Sequence, residues 1–216
     1  MVTGAKRGSH VGPTGELAKR GTRTVAARIE AGSLPGTWKI TFRSQAVPGT
    51  LAAFAGTLAV ARLDIISAVV RLTDDAMVTD VFEIVPLDGG LFGPDECDRL
   101  AARATAVLQG RGDLEADLLA LRRSYPAQVE VVPRVETNAD SSLTTGVNVV
   151  CADRPGLLYD VTSVLAAHGL RTRSLAMVTF GARAHDTFRV VDSAGDPPRR
   201  PALLAAVRDD LLAVTA

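Results

Sequence analysis

The sequence predicts an α+β protein built from two consecutive copies of one unit, each an antiparallel four-stranded sheet with two helices on one face. The first observation is an internal repeat, since Pro48-Gly49 recurs as Pro155-Gly156 and Ser67 recurs as Ser174 at the same separation. The second is apolar spacing that switches between the alternation of strands and the three- to four-residue intervals of helices. The third is composition: 47% hydrophobic but 4% aromatic residues favour aliphatic helices packed on a sheet.

The repeat extends further along both units. Asp80 matches Asp186, and Gly89 matches Gly195, one residue out of the first register. Loss of one residue is what a hairpin loop tolerates. We therefore assign residues 23–126 to the first domain and residues 127–216 to the second. Residues 1–22 combine many glycines with Lys and Arg, which predicts a disordered basic tail.

The first half of each unit is predicted as two strands and a helix. A short strand at residues 25–30 has its counterpart at residues 133–136, and alternating apolar residues predict a second strand at 38–42 and at 147–151. A helix follows each Pro-Gly step and ends near Arg62 or Gly169. Its apolar residues recur at helical spacing, which predicts an amphipathic helix in both units: Leu51, Phe54, Ala55 and Leu58 in the first, Leu158, Val161 and Leu165 in the second.

The second half of each unit is predicted as a hairpin and a helix. The hairpin turns at Asp74-Asp75 in the first unit and at Gly181 in the second, and the last helix begins after Pro94 or Pro201. This element order is typical of the ferredoxin-like fold. No strand follows the last helix, so the first strand of each unit either closes its own sheet or crosses to the other unit.

One segment of the second unit resembles a known family. The stretch from Ala152 to Tyr159, with the helix end at residues 165–170 and Ser174-Leu175-Ala176, is similar to an ACT domain. The pair of units, with its spacer at residues 112–125, resembles the tandem ACT pair at the C-terminus of PII uridylyltransferase/uridylyl-removing enzymes. The resemblance covers residues 23–216. It implies a regulatory protein of nitrogen metabolism that senses an amino acid, glutamine first, and signals to a partner protein.

The resemblance places the ligand near the first strand-to-helix loop. A helix N-terminus offers unpaired N–H groups to a carboxylate, and Asp153 could accept the ammonium group of a zwitterion. The predicted ligand-binding residues are Asp153, Arg154, Pro155, Gly156, Leu157, Ser174 and Leu175 in the second unit, with Pro48, Gly49, Ile66 and Ser67 in the first. In the alternative interpretation, Asp153 only caps the helix.

The first unit departs from this pattern in the same loop. It has Ala46-Val47 where the second unit has Asp153-Arg154. The turn is kept and the charges are lost. We therefore expect the site of the first unit to be altered or silent.

Charge and composition argue against several function classes. Lys plus Arg and Asp plus Glu number 24 each, so no net charge favours a nucleic-acid partner or a membrane surface. No apolar run reaches the ~20 residues of a membrane span, and we expect a cytoplasmic protein. Cys97 and Cys151 are expected to be reduced.

Catalytic and metal motifs are missing from the sequence. No phosphate-binding G-x-x-x-x-G-K-[ST] loop, no G-x-S-x-G and no C-x-x-C occurs. His185-Asp186 resembles a dipeptide of metal-dependent phosphohydrolases, but too few other histidines accompany it for a metal site. We therefore expect no enzyme activity, no metal and no cofactor.

Two alternatives to the sensor remain open at this stage. The chain could be an ACT pair that has lost its ligand and serves as an interaction or dimerisation module, which the altered first loop favours. It could also be a split regulatory subunit that works with a separate nucleotidyltransferase chain. A homodimer is compatible with each interpretation.

Overall fold

A computed structural model describes residues 23–72, 77–89, 92–125, 130–139 and 142–216. These residues form eight strands and five helices. The predicted basic tail at residues 1–22 and the predicted turn at Asp74-Asp75 lie outside the described residues.

The two units have the same order of elements. The first contains β1 (Ala26–Ala31), β2 (Trp38–Gln45), α1 (Thr50–Val60), β3 (Leu63–Leu72), β4 (Met77–Pro86) and α2 (Pro94–Leu108). After α3 (Glu115–Ser124), the second contains β5 (Arg134–Asn138), β6 (Thr145–Ala152), α4 (Leu157–Ala167), β7 (Arg171–Phe180), β8 (Arg183–Val191) and α5 (Pro201–Thr215). The predicted order is confirmed, and helix α3 within the spacer is an element that the sequence analysis did not predict.

Each unit forms its own antiparallel sheet, with strand order β1-β2-β4-β3 in the first and β5-β6-β8-β7 in the second. The first strand of each unit therefore closes its own sheet: Ile29 lies opposite Ile40, and Val135 lies opposite Val149. The exchange of first strands between units does not occur. A short local connection costs less loop-closure entropy than a crossing to the other unit.

The core lies between each sheet and its helices. In β2 and β4 alternate residues are fully buried, as one covered face of a sheet requires. The Phe42 ring stacks on Phe54 of α1 with 4.7 Å between centroids and meets Phe82 edge-on at 6.1 Å. In the second unit Val149 and Phe188 take the corresponding buried positions. Because α2 contacts α1, and α5 contacts α4, the helices of each unit share one face. The predicted α+β class is confirmed.

Helix α1 differs from its prediction as an amphipathic helix. All its residues from Thr50 to Ala59 are buried, whereas α4 leaves part of its surface accessible. The reason is that α1 packs on its own sheet and also against α4 and α3. A Cβ on Gly56 would lie 2.6 Å from the Tyr159 ring and 2.7 Å from the Leu114 side chain. Glycine therefore permits the close approach of these helices.

The two units lie side by side and share one continuous hydrophobic core. Helices α1 and α4 pack together, and β3 lies next to β7. No ladder hydrogen bonds join these two strands in the described part of the chain, so the sheets remain separate. Helix α3 covers one side of the junction, where Leu114, Leu118 and Leu121 pack with Ala59 and Tyr159. This arrangement leaves a cavity at each end of the junction.

Candidate functional site

The larger cavity, about 540 Å³, lies between the loop after β6 and the start of β3 in the other unit. Its size is within the range of ~300–1,000 Å³ usual for ligand pockets. The hairpin between β7 and β8 and the end of α3 complete the wall. The lining residues include apolar Leu63, Ile65, Leu158, Met177 and Ala184, with charged Asp64, Arg122, Glu130, Asp153, Arg154 and Asp186.

One glycine sets the geometry of the loop between β6 and α4, which forms part of this wall. Gly156 has φ 80°, a left-handed conformation, and α4 begins at the following residue. No side chain caps the helix. The Asp153 side chain instead accepts a hydrogen bond from Thr179 Oγ1 at 3.4 Å, and its backbone N–H donates to Ala182 at 2.8 Å. The interpretation of Asp153 as a helix cap is therefore wrong, and its carboxylate is turned toward the hairpin side of the cavity.

Two arginines from different elements meet at one carboxylate. Arg122 of α3 donates to Asp160 Oδ1 at 2.6 Å, and the Arg154 guanidinium pairs with Asp160 Oδ2 at 2.6 Å. Arg154 also donates to the Val214 carbonyl at 2.6 Å. Among the described residues, Arg122 Nε and Arg154 Nη1 are buried without a hydrogen-bond partner. An unsatisfied buried donor costs ~1–3 kcal/mol, so an acceptor that reached these two donors would stabilise the site.

Three aspartates also line the cavity, namely Asp64, Asp153 and Asp186. The Asp186 side chain belongs to a residue that is only 3% exposed, and burial, together with the Asp153 carboxylate, raises its pKa to about 7. Desolvation in the cavity wall and the Asp153 charge also raise the pKa of Asp64. The Asp153 carboxylate therefore repels both Asp64 and Asp186. A cation in the cavity would relieve that repulsion.

Five predicted site residues lie together in this cavity, namely Asp153, Arg154, Pro155, Gly156 and Leu157. The other six predicted site residues are not part of the cavity wall. Ser67 and Ser174 lie at equivalent β-bulges of β3 and β7, while Ile66 is 40% exposed and Leu175 belongs to the core. Pro48 and Gly49 precede α1, at the far end of the junction. Ligand binding by these residues stays a prediction.

The sequence analysis missed five charged or aromatic residues of the wall: Asp64, Arg122, Tyr125, Glu130 and Asp186. Helix α3, which contains Arg122 and ends just before Tyr125, had a signal in its apolar spacing, since Leu114, Leu118 and Leu121 fall on one helical face. Asp186 was also detectable, as an acidic residue within an alternating apolar strand. Nothing in the sequence indicated that Asp64 faces the loop of the other unit.

A second cavity of about 50 Å³ lies at the equivalent position with the two units exchanged. The loop residues Ala46, Val47 and Gly49 line it together with Asp80 and the start of β7. Asp80 is 1% exposed, and neither carboxylate oxygen has a hydrogen bond of normal length to the described residues. Burial raises its pKa to about 7. This volume is too small for an amino acid, since one water molecule already occupies ~30 Å³ in the liquid.

The remaining polar candidates have structural surroundings. Among the described residues no three His, Cys, Asp or Glu side chains are grouped as a metal site would require. Cys97 and Cys151 are free and buried, and burial raises the pKa of Cys151 to about 11. His168 ends α4 and lies 2.7 Å from Asp210. The helices of the described regions include none with the length and hydropathy of a membrane span.

No family model matches the chain. Its sequence is nevertheless similar to curated proteins. The bifunctional uridylyltransferase/uridylyl-removing enzyme of Gluconobacter oxydans is 34% identical over 194 residues, which is 86% of this chain and 20% of that enzyme. The enzyme of the same description from Xanthomonas campestris pv. campestris is 38% identical over 143 residues, 63% of this chain and 15% of that enzyme. The matched part of the chain thus spans about one fifth of the length of the first relative and less of the second. The resemblance stated from the sequence is confirmed.

Solved structures give weaker similarities. Aspartate kinase from Synechocystis has 18% identity and a TM-score of 0.38, covering 74% of this chain and 25% of that one. A putative glycine cleavage system transcriptional repressor has 16% identity and a TM-score of 0.27, covering 82% of this chain and 91% of that one.

Proposed function

Because this chain is homologous to a segment of bifunctional uridylyltransferase/uridylyl-removing enzymes, we propose that it is a regulatory module that senses a free amino acid. The ligand occupies the larger cavity between the two units. The observation that carries the proposal is that two arginines and a group of aspartates line one cavity together with apolar side chains. A zwitterion has the same two charges at a fixed distance on one carbon atom.

Each end of the ligand has a place in this proposal. The Arg122 and Arg154 guanidiniums meet the α-carboxylate, and charge-assisted hydrogen bonds of this kind are the strong ones. Asp153 meets the α-ammonium. The apolar residues Leu63, Ile65 and Met177 exclude water, which strengthens both interactions.

The position of the cavity supports a regulatory role. Its wall combines β3 of the first unit, the loop of the second unit and the end of α3. A ligand that contacts all three stabilises one arrangement of the units over others, and only such differential binding can transmit a signal. The receiver is a protein partner. The proposal assigns no catalysis to this chain and places it in nitrogen metabolism, in the cytoplasm.

Ligand-linked stabilisation tests the proposal directly. A ligand at ~100 times its Kd stabilises the fold by about 2.7 kcal/mol, which raises the Tm by several degrees. We expect at least one proteinogenic amino acid, with glutamine first in the screen, to give that shift in a thermal-denaturation assay. Asp153→Asn should remove most of the shift and leave the unliganded Tm nearly unchanged, because Asp153 is exposed and caps no helix.

Asp209→Asn is the matched control. The same Asp-to-Asn change is made at Asp209 on α5, away from the cavity lining. The Asp209 side chain is 65% exposed and paired with Arg208. This variant should keep the full ligand shift. Absence of any shift and of any calorimetric heat for all amino acids would refute the sensor, and a ligand-free interaction module would replace it.

A further inference from the structure

Carboxylates outnumber guanidiniums in the wall of the larger cavity. The acidic lining residues are Asp64, Glu130, Asp153 and Asp186, and the basic lining residues are Arg122 and Arg154. The two arginines are in addition paired with Asp160, which is only 12% exposed at its side chain. A neutral zwitterion adds one charge of each sign, so it leaves the excess of carboxylates uncompensated. Of the four lining carboxylates only Asp186 belongs to a buried residue, so the cost of an uncompensated charge falls mainly on Asp186.

Asp186 is the carboxylate with the least access to water. Its residue is 3% exposed, it lines the cavity, and the structure records no hydrogen-bond partner for it among the described residues. Its neighbours on the buried face of β8 are the apolar Ala184 and Phe188. A cationic partner for this carboxylate would reach it from the cavity.

A single metal ion does not fit this distribution of charge. No three acidic, His or Cys side chains of the described regions converge as a metal site needs. The aspartates come instead from three elements: Asp64 from β3, Asp153 from the loop after β6, and Asp186 from β8. An organic ligand with two separate cationic groups could pair with aspartates that are spread in this way.

We propose that the cavity selects an amino acid with a cationic side chain, of the class of arginine, lysine and ornithine, in preference to a neutral one such as glutamine. This inference rests on the proposed function and narrows its ligand. The α-carboxylate faces the two arginines, the α-ammonium faces Asp153, and the side-chain cation faces Asp186 and Asp64. The apolar Leu63, Ile65 and Met177 line the space that the aliphatic part of the side chain occupies.

Isothermal titration calorimetry with isosteric pairs tests the charge requirement. Arginine is compared with citrulline, and lysine with norleucine, because each pair differs by the side-chain charge at nearly constant shape. Glutamine is measured alongside them. We expect the cationic member of each pair to bind at least tenfold more tightly, as a desolvated charge-assisted contact provides.

Two matched variants locate the selectivity. Asp186→Asn should reduce the preference for arginine over citrulline to about twofold while citrulline affinity stays within a factor of three. Asp80→Asn makes the same change at the equivalent strand position beside the small cavity, and it should keep the preference intact. Asp64→Asn on strand β3 provides a second reading of the same selectivity if the Asp186 variant is poorly folded by circular dichroism.

The outcomes separate this inference from the proposed function. If citrulline, norleucine or glutamine binds as tightly as arginine and lysine, the charge selectivity is refuted and the amino-acid sensor stands. Loss of the preference in Asp80→Asn as well as in Asp186→Asn would also refute it. If no amino acid binds at all, both the selectivity and the sensor are overturned.

Discussion

The two cavities at the junction are built from equivalent residues yet differ about tenfold in volume, 540 Å³ against 50 Å³. Each lies between the Pro-Gly loop of one unit and the first edge-strand residues of the other. Each has a buried aspartate of the fourth strand in its wall, Asp186 in the larger and Asp80 in the smaller. The same backbone topology therefore supports two sites of different capacity.

Side chains in three places explain the difference. In the loop, Val47 of the small cavity stands where the large cavity has Arg154, and Ala46 stands where it has Asp153. On the edge strand, Arg171 replaces Asp64 and donates outward to the carbonyls of residues 192 and 193. The charged loop pair Asp153 and Arg154 is thus present at one end only.

Helix α3 is the third difference, because the spacer packs at one end of the junction. It contributes Arg122 and Tyr125 to the wall of the large cavity. The small cavity has no counterpart of these residues in its lining. A repeated unit thus becomes asymmetric through the segment that joins its copies.

The largest effect is expected for the buried aspartate of the small cavity. The folded state raises the pKa of Asp80 from 3.8 to about 7, which corresponds to at most about 4 kcal/mol between the two protonation states. A carboxyl with a raised folded pKa destabilises the fold once it ionises. The cost is absent below about pH 4, grows between pH 4 and 7, and is complete above pH 7.

Asp80→Asn should therefore raise the free energy of unfolding at about pH 8 by 1–4 kcal/mol, and the gain should vanish as the pH approaches about 4. Urea denaturation across this pH range measures it. Asp186→Asn should follow the same trend without ligand, since its pKa is raised to about 7 as well. A gain that is independent of pH would show that the carboxyl charge is not its cause.

A smaller effect is expected for the two glycines that precede α1 and α4. Gly49 and Gly156 have φ of 83° and 80°, so alanine costs roughly 1–2 kcal/mol at either position. A Cβ on Gly49 meets nothing within 4 Å, whereas a Cβ on Gly156 lies 3.0 Å from Leu118 and 3.3 Å from the Arg122 guanidinium. Gly156→Ala should therefore lower the Tm more than Gly49→Ala does.

Ligand titration sharpens the same pair of variants. Displacement of Arg122 by the new methyl group should weaken amino-acid binding in Gly156→Ala, while Gly49→Ala keeps the wild-type affinity. Equal Tm losses together with equal affinities would indicate that α3 does not distinguish the two ends of the junction.

The smallest effect is expected where α4 ends. His168 lies 2.7 Å from Asp210, while α1 ends at Ala61 without such a pair. The Asp210 side chain is 63% exposed, and pairs of this kind contribute ~0–1 kcal/mol. His168→Ala, which copies the first unit, should lower the Tm by no more than a few degrees. Asp210→Asn should lower it equally, and the double variant should add nothing further, because both changes remove one interaction.

The order of elements in each unit was predictable from local patterns. The alternating apolar residues of β2 and the proline at the start of α2 are signals that involve only a few consecutive residues. Because the unit is repeated, each signal occurs twice and supports the same element in both units. The loop of the ligand site was predictable for the same reason, since Asp153 to Leu157 are consecutive. The amphipathic prediction for α1 was wrong, because contacts with a second unit and with the spacer are not recorded in the periodicity of one helix.

Local sequence patterns predict the two units, their α+β class, the charged loop of the second unit and the loss of those charges in the first. Three features follow only from packing of the whole chain. The first strands close their own sheets, Asp64 of one unit faces Asp153 of the other, and α3 brings Arg122 beside Arg154. The physical reason is that the positions of strands, helices and turns along the chain follow from neighbouring residues. A site at a junction depends on which surfaces pack together, and that is chosen by the total apolar area buried by all elements at once.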